Sequence, residues 1–576
     1  MQKSTASTGS QTIGGTTIWI PDIVQRVVSF LPINEVACTI RLLNKATAAQ
    51  LRSPIYTAVR LSQPVPIHAF AWRWGSPDAV RSLTFDKRLR LLGLTAASGS
   101  LTNLQIAVET SGCVLAAKPC NVVFGEAAAS GHVHVCEWLK QQGCPMDGAL
   151  PAAARTGQRA ACEWLLAHDC PWSDAAVCLV AGSGNMALLD WFLSLRQGPR
   201  HSRTPRVRVP PNVLFIAAIA GMPSLSQLQQ LHQTLLNSAP LGEFESSVQA
   251  RMVAAAAGSL SPDWHAKVEW LEMQGCRGDA EFARNVAARP DAADYLGRLL
   301  RCGCPVNEDA AAEAAERGDV ATLALLASYF PNLLTETVAR RAARAGHLET
   351  LQWLHAHGCR MGVSTVRASL HSGRLQLVAW LQEVLGLDLR DAEAAAGLMR
   401  TAAHLGNVEL MAWLRERGCG WGDGVFVSAA EGGCEEAMEW LAAQGCPIDQ
   451  VVPMRFDPYI AASQRGDMAT LRCMRRLGRP WSTLGDTFTD CVDSNSPLPV
   501  LRWLLEEHCP LDIEAAERAV RRWWSPPERS DLLRRLGREQ RQRQPRAEGR
   551  CAWTRGWRAL FGWFGVFHCW SRHREG

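Results

Sequence analysis

The chain has no run of about eighteen apolar residues anywhere in its 576, so a membrane-spanning helix is not expected. It also lacks an apolar stretch behind its first residues. Met1 to Gly15 is polar, which argues against a secretory signal peptide. That run holds Ser and Thr but no acids, and reads first as a disordered tail and second as an organellar transit segment. A surplus of one charge is missing as well: 60 Lys and Arg against 55 Asp and Glu leave +5, too near balance to argue for nucleic acid. Lysine is scarce, six of the 60 bases, and the Arg residues are spread along the chain. With 47% hydrophobic and 20% charged residues, the composition is that of a folded, water-soluble chain able to bury a large core.

Signatures of chemistry are equally absent. There is no Gly-x-Ser-x-Gly elbow, phosphate-binding Gly-Lys-Ser/Thr loop, His-Glu-x-x-His pair or dinucleotide glycine fingerprint. The pair Glu435-Glu436 is read as a solvated face. No enzyme, cofactor or metal is expected. The twenty Cys would imply a disulfide framework only in a short secreted chain. Here the thiols are expected to be reduced and the protein cytoplasmic or nuclear.

What the sequence does have is a repeat, at a spacing that slides between about 26 and 33 residues. One copy runs Ala342-Ala343-Arg344-Ala345-Gly346-His347-Leu348-Glu349-Thr350-Leu351-Gln352-Trp353-Leu354, then His355-Ala356-His357-Gly358-Cys359. Gly131, Gly157, Gly406 and Gly433 each precede a Trp by seven positions, at Trp138, Trp164, Trp413 and Trp440. Weaker copies pass through Gly184, Gly258, Gly303, Gly318, Gly373, Gly466 and Trp503. About a dozen units fill residues 90–515.

Each unit reads as a helix hairpin. The Ala pair ends a first helix whose small side chains allow close approach, and the following Gly supplies a left-handed terminus. Leu348, Leu351, Trp353 and Leu354 make an apolar stripe on the second helix, wider than one hairpin can cover, so stacking is forced and Trp is expected in the core. Gly358 closes that helix, and Pro after Cys at Pro145, Pro171 and Pro447 stops it elsewhere. On these residues the chain resembles the ankyrin-repeat family, whose helical half has the pattern Ala-Ala-x-x-Gly-His-Leu-Glu before an apolar helix and a closing Gly. The family's Thr-Pro-Leu-His opening is missing from every unit, and Trp replaces an aliphatic residue. The resemblance implies an all-α, ankyrin-like solenoid of stacked helix-turn-helix repeats with a small N-terminal helical module, elongated and curving, that binds proteins along its repeats.

Residues 18–60 depart from the repeat. Apolar residues at 20, 23, 24, 27, 28 and 31 have helical spacing, and Ile33 to Lys45 offers a second helix. This segment resembles an F-box, through Ile20-Pro21, Val27, Val28, Leu31-Pro32, Val36 and Arg41-Leu42. That likeness implies docking on the Skp adaptor of a cullin-based ubiquitin ligase, with Ile20, Pro21, Val24, Val27 and Leu31 in the contact. Read from the residues alone, two amphipathic helices would equally cap the first repeat.

The remaining assignments follow from position. The recurrent Cys at 144, 170, 276, 304, 359, 419, 446 and 509 lie one repeat apart and read as small buried hydrophobes rather than zinc ligands. His355 and His357 point in different directions on a helix. The residues after the Gly-Cys closures, Trp172, Asp174, Asn307, Asp309, Trp421, Asp423, Asp449, Trp481 and Asp512, are the candidate partner-binding set, or else ordinary turn residues. Residues 61–89 read as a connector or degenerate repeat, and 198–212 as an Arg- and Pro-rich insertion. Residues 516–576 form a basic, aromatic tail: from Arg518 onward fifteen Arg face five acids, with Trp553, Trp557, Trp563 and Trp570 among them. It suits a peripheral membrane or partner-docking helix, or a cap followed by a disordered tail. Proteins, including the Skp adaptor, are thus the expected partners, with no specific nucleic acid.

Overall fold

The computed structural model describes residues 21–195, 209–289, 293–301, 304–390, 392–449, 457–481, 487–523 and 526–543. Among them every regular element is a helix, and one isolated bridge pairs Cys113 with Asp467. The chain is an α-solenoid of stacked helix hairpins with a small helical module at its N-terminus. It divides into two units, Met1–Met454 with Asp467–Arg479, and Arg455–Gly466 with Pro480–Gly576.

The module opens with the Pro21–Val28 helix, where Pro occupies the first turn, in which a missing N–H leaves nothing unpaired. Pro32 then separates it from Ile33–Cys38, and the Lys45–Gln50 helix starts with a reciprocal cap between Asn44 and Thr47. Val24, Val28, Val36 and Leu51 form its core, flanked by Leu31, Ile40 and Tyr56. Buried Asn34 pins the connector to this core. Its amide donates to the carbonyls of Arg60 (2.8 Å), Gln63 (3.1 Å) and Pro64 (3.1 Å), and its oxygen accepts from the Arg60 N–H (2.9 Å). Asn103, also buried, donates to Val65 at 2.8 Å and ties the connector to the first hairpin.

That hairpin begins at Phe85–Ala97, so the expected start at residue 90 falls inside its first helix. From there the first helices pack each on the next in one row, through Asn121–Ala129, Ala149–Arg155, Glu308–Arg317 and Glu336–Ala345 to Val425–Gly432. Small side chains make this spacing available: Ala127, Ala128, Ala153, Ala154, Ala342 and Ala343 have no exposed surface. Each second helix lies against its own first helix, as Leu348–Ala356 lies against Glu336–Ala345. Leu351 and Leu354 are the residues it buries completely. Trp353 is half-buried instead, its ring stacked 4.0 Å from that of His357 one turn on, so the expectation of a core Trp is corrected for this repeat. It stands about 100° around the helix from Leu354 and about 160° from Leu351, away from the side the Leu pair buries.

Two repeated residues have local explanations. Gly318 ends its helix at φ 76°, and a side chain there would meet the His347 ring 2.6 Å away. The next hairpin's His347 sits over that bare helix end and hydrogen-bonds the Glu316 carbonyl at 3.0 Å, which is why Gly and His recur together. The closing Cys are buried except Cys304, which is half-buried against expectation, and three of the thiols donate to a carbonyl 24 residues earlier: Cys144 to Cys120 (3.3 Å), Cys359 to Thr335 (3.3 Å) and Cys419 to Ala395 (3.4 Å). Burial pushes the Cys144 thiol up to about 12 and those of Cys359 and Cys419 up to about 11.

In the second unit, Pro458–Arg465, Thr487–Asp493 and Ile513–Trp523 continue one row, and Leu498–Glu506 packs on Pro526–Arg543. The expected tail boundary at 516 therefore lies within a helix, and Leu532 and Leu536 of the basic segment are buried. The N-terminal tail read at 1–17 and the aromatic residues from Trp553 on lie outside the described residues, as does the insertion up to residue 208. Within the first unit the stack is not simply elongated: the first hairpin also packs against residues 433–439 and 467–469, as with the Met468 N–H that donates to Gly112 at 2.9 Å.

Candidate interaction surfaces

Among the described residues the module leaves large apolar side chains exposed beside its small core. Its first helix divides between the two: Val24 and Val28 point inward, whereas Ile23 (45% exposed), Val27 (40%) and, just after it, Phe30 (78%) point outward. Leu42 (69%) and Leu43 (50%), at the end of the Ile40–Leu42 turn, are exposed as well. An uncovered group of large apolar side chains on forty residues is what a docking site looks like, because water penalises each of them until a partner covers it. Of the five residues expected in an adaptor contact, Val27 is in this group and Pro21 is exposed, its carbonyl accepting from Gln50 at 2.8 Å. Val24 is buried and Leu31 half-buried in the module's own core, and Ile20 lies outside the described residues. Phe30 and Leu43 are not among the residues picked out from the sequence, and Ile23 enters only through its helical spacing. The spacing of Ile23, Val27 and Phe30, four and then three residues apart, is itself that of a helix side.

The residues expected to bind a partner along the repeats are not gathered into one site. Trp172 is half-buried, its indole N–H donates to the Asp174 carboxylate at 2.9 Å, and its ring lies 5.9 Å from Phe192. Asn307 precedes the Glu308–Arg317 helix and donates to Asp309 at 2.8 Å. Trp421 lies beneath the Arg415 guanidinium, 4.2 Å away, and 6.2 Å from the Trp440 ring. Asp423 and Asp449 are exposed. Trp481 leans on Tyr459, with centroids 4.3 Å apart, and Asp512 accepts from the Glu514 and Ala515 N–H groups at 2.9 and 3.2 Å, capping Ile513–Trp523. The exposed carboxylates remain available to a ligand, while the indoles take part in packing between hairpins.

Buried ionisable groups mark two further places. Lys267 has no exposed surface and donates to Ser259 (3.1 Å), Ser261 (2.7 Å) and the Met222 carbonyl, and burial lowers its pKa. Glu435, Glu439 and Cys473 lie close enough together to suggest a metal site. The chemistry argues otherwise, since Arg476 pairs with both carboxylates, at 3.2 Å to Glu435, and Arg81 pairs with Glu439. Burial would raise Glu439, but the Arg81 and Arg476 guanidiniums hold it below the usual carboxylate range. Burial also pushes the Cys473 thiol up to about 12, so it is not a thiolate ligand.

No protein-family model matches the chain, and no curated protein does. Among solved structures it is similar to the pentatricopeptide repeat protein PPR10 in complex with an 18-nt psaJ RNA element, at TM-score 0.26 and 12% identity, covering 90% of this chain and 79% of that one. It is also similar to PPR10 from maize, at TM-score 0.24 and 14% identity, covering 92% and 82%. The first of these proteins holds RNA. The expectation that no specific nucleic acid is a partner is therefore withdrawn, although at these TM-scores the likeness carries no argument about what this chain binds.

Proposed function

We propose that the chain is a non-enzymatic binding scaffold whose repeats hold a protein ligand and whose N-terminal module docks on the Skp adaptor of a cullin-based ubiquitin ligase. The exposed group of Ile23, Val27, Phe30, Leu42 and Leu43 carries this reading. A module that served only as a cap would turn those side chains toward the first hairpin. The F-box likeness of residues 18–60 names the adaptor, and the ankyrin-like order Gly346-His347-Leu348-Glu349 supports a protein-binding stack. Asn34 and Asn103 would make the module a fixed rather than a swinging attachment.

The test is co-purification of the full chain with recombinant Skp, comparing wild type with a Val27→Glu/Phe30→Glu double variant. Both side chains are exposed, so the variant should keep its melting temperature and lose the adaptor, because carboxylates would be buried in the contact. A wild-type chain that binds no Skp overturns the ligase connection. An RNA that binds the full chain as tightly whether or not Asp309, Asp423 and Asp449 are changed to Ala would overturn the protein-ligand part.

A further inference from the structure

The sequence carries one short phrase twice: Gly318-Asp319-Val320-Ala321-Thr322 and Gly466-Asp467-Met468-Ala469-Thr470. Both aspartates cap a second helix in the same way. Asp319 accepts from the Thr322 N–H at 3.1 Å and its hydroxyl at 2.7 Å, and Asp467 accepts from the Thr470 N–H at 3.1 Å and its hydroxyl at 2.7 Å. Their surroundings differ completely. The Asp319 side chain is 24% exposed, with Arg317 a loose 4.0 Å away. The Asp467 side chain is 0% exposed and receives a two-pronged guanidinium from Arg88, itself 1% exposed, at 2.9 and 2.8 Å.

Arg88 comes from the first hairpin, 379 residues earlier in the chain. Its remaining donors reach the carbonyls of Ser111 at 2.7 Å, within its own hairpin, and Gly433 at 2.7 Å, across the seam. Around this pair the backbone joins as well: Met468 N–H to Gly112 (2.9 Å) and Glu436 N–H to Arg81 (3.1 Å). Arg81, Glu439, Arg476 and Glu435 continue the seam as a chain of ion pairs. A cap that needed only to end a helix would not be buried with a charge beside it. Taking both ions out of water is compensated only by close pairing and further hydrogen bonds, which here come from both carboxylate oxygens and the Ser111 and Gly433 carbonyls on the two terminal nitrogens of Arg88.

We propose that Arg88–Asp467 is a latch that joins the first hairpin to residues 433–443 and 467–476 of the same unit, turning an open repeat run into a closed circuit of contacts. Ordinary solenoids transmit stability only between neighbours. With the latch engaged, residues 85–113 protect, and are protected by, residues 425–443 and 467–476 although ten hairpins separate the first two of these segments in sequence order, and the module held by Asn103 is tied to them. The seam holds the run at one curvature, so any ligand lying along the first unit meets a surface of fixed spacing.

Hydrogen exchange on the full chain tests this with its own internal control. Asp467→Asn keeps the cap oxygen but removes the charge, and should speed exchange about tenfold or more in 85–113 as well as in 425–443 and 467–476. Asp319→Asn, which removes the same charge from the same cap, should change exchange only around 308–326. Arg88→Lys, which keeps the charge and loses the fork, provides a second variant should Asp467→Asn fail to fold, and should loosen the same segments. Acceleration confined to the neighbourhood of residue 467, in either variant, overturns the latch. So would a wild-type chain that elutes as a dimer in which the Arg88 of one copy meets the Asp467 of another, since the same pairing can be made by exchange between copies.

Discussion

The N-terminal module and the repeat stack handle apolar surface in opposite ways. In the stack the second helices bury their inner side against their own first helices, so Leu351 and Leu354 disappear completely and exposed apolar residues such as Leu260 and Met273 stand apart. The module has a core cluster of four buried residues, and among the described residues Ile23, Val27, Phe30, Leu42 and Leu43 stay in water around it. A repeat consumes its hydrophobic residues in making the fold. The module keeps some back, and a surface retained at that cost is where binding is to be sought.

The contrast can be broken most forcefully inside the stack. Leu354→Ala should leave a cavity costing about 2–5 kcal/mol, read as a lowered urea midpoint, whereas Val27→Ala on the module should leave the midpoint within about 0.5 kcal/mol of wild type. Next in size is Asn34→Ala, which strips four hydrogen bonds from the connector and should cost about 1–3 kcal/mol, detectable as new proteolysis between residues 60 and 66. Trp353→Ala should cost less than Leu354→Ala, about 1–2 kcal/mol, because half of the ring already meets water; a loss equal to that of Leu354→Ala would return the Trp to the core.

The smallest effects concern the thiols. Cys359 and Cys419 titrate near 11 in the fold, against 9.0 for an ordinary thiol, so the unfolded chain loses these protons first as pH rises. Their contribution to stability is intact below pH 9 and drains away between pH 9 and about 11. The melting temperature should therefore fall across that window, and Cys359→Ala should shallow the fall. A thiol reagent at pH 8 should leave both residues unmodified until the protein is unfolded, and rapid labelling in the native state would show that the Gly-Cys closures are open.

Much of this architecture was legible because a repeat writes its local rules many times. Gly before His, Leu at the inward positions and Cys at the closure each recur, and each has a short-range cause: a left-handed helix end, a covered stripe, a thiol within reach of a carbonyl one hairpin back. Trp353 misled because apolar residues in one run need not share one side of a helix: at about 100° per residue it stands about 100° from Leu354 and about 160° from Leu351. The turn residues are ambiguous in a different way. Asp512 has the composition of a ligand surface and the geometry of a helix cap, and composition alone does not separate the two.

What the sequence by itself determined is the helix hairpin and the need to stack it, since both follow from side chains within about thirty residues of one another. What only the tertiary structure decided is which surfaces remain. Asp319 and Asp467 stand in nearly identical phrases, yet one faces water and the other lies beside Arg88 across the seam. Their difference arises from how far the accumulated rotation between hairpins brings the chain back toward its beginning. That is a sum over many small packing angles, and no single segment of sequence contains it.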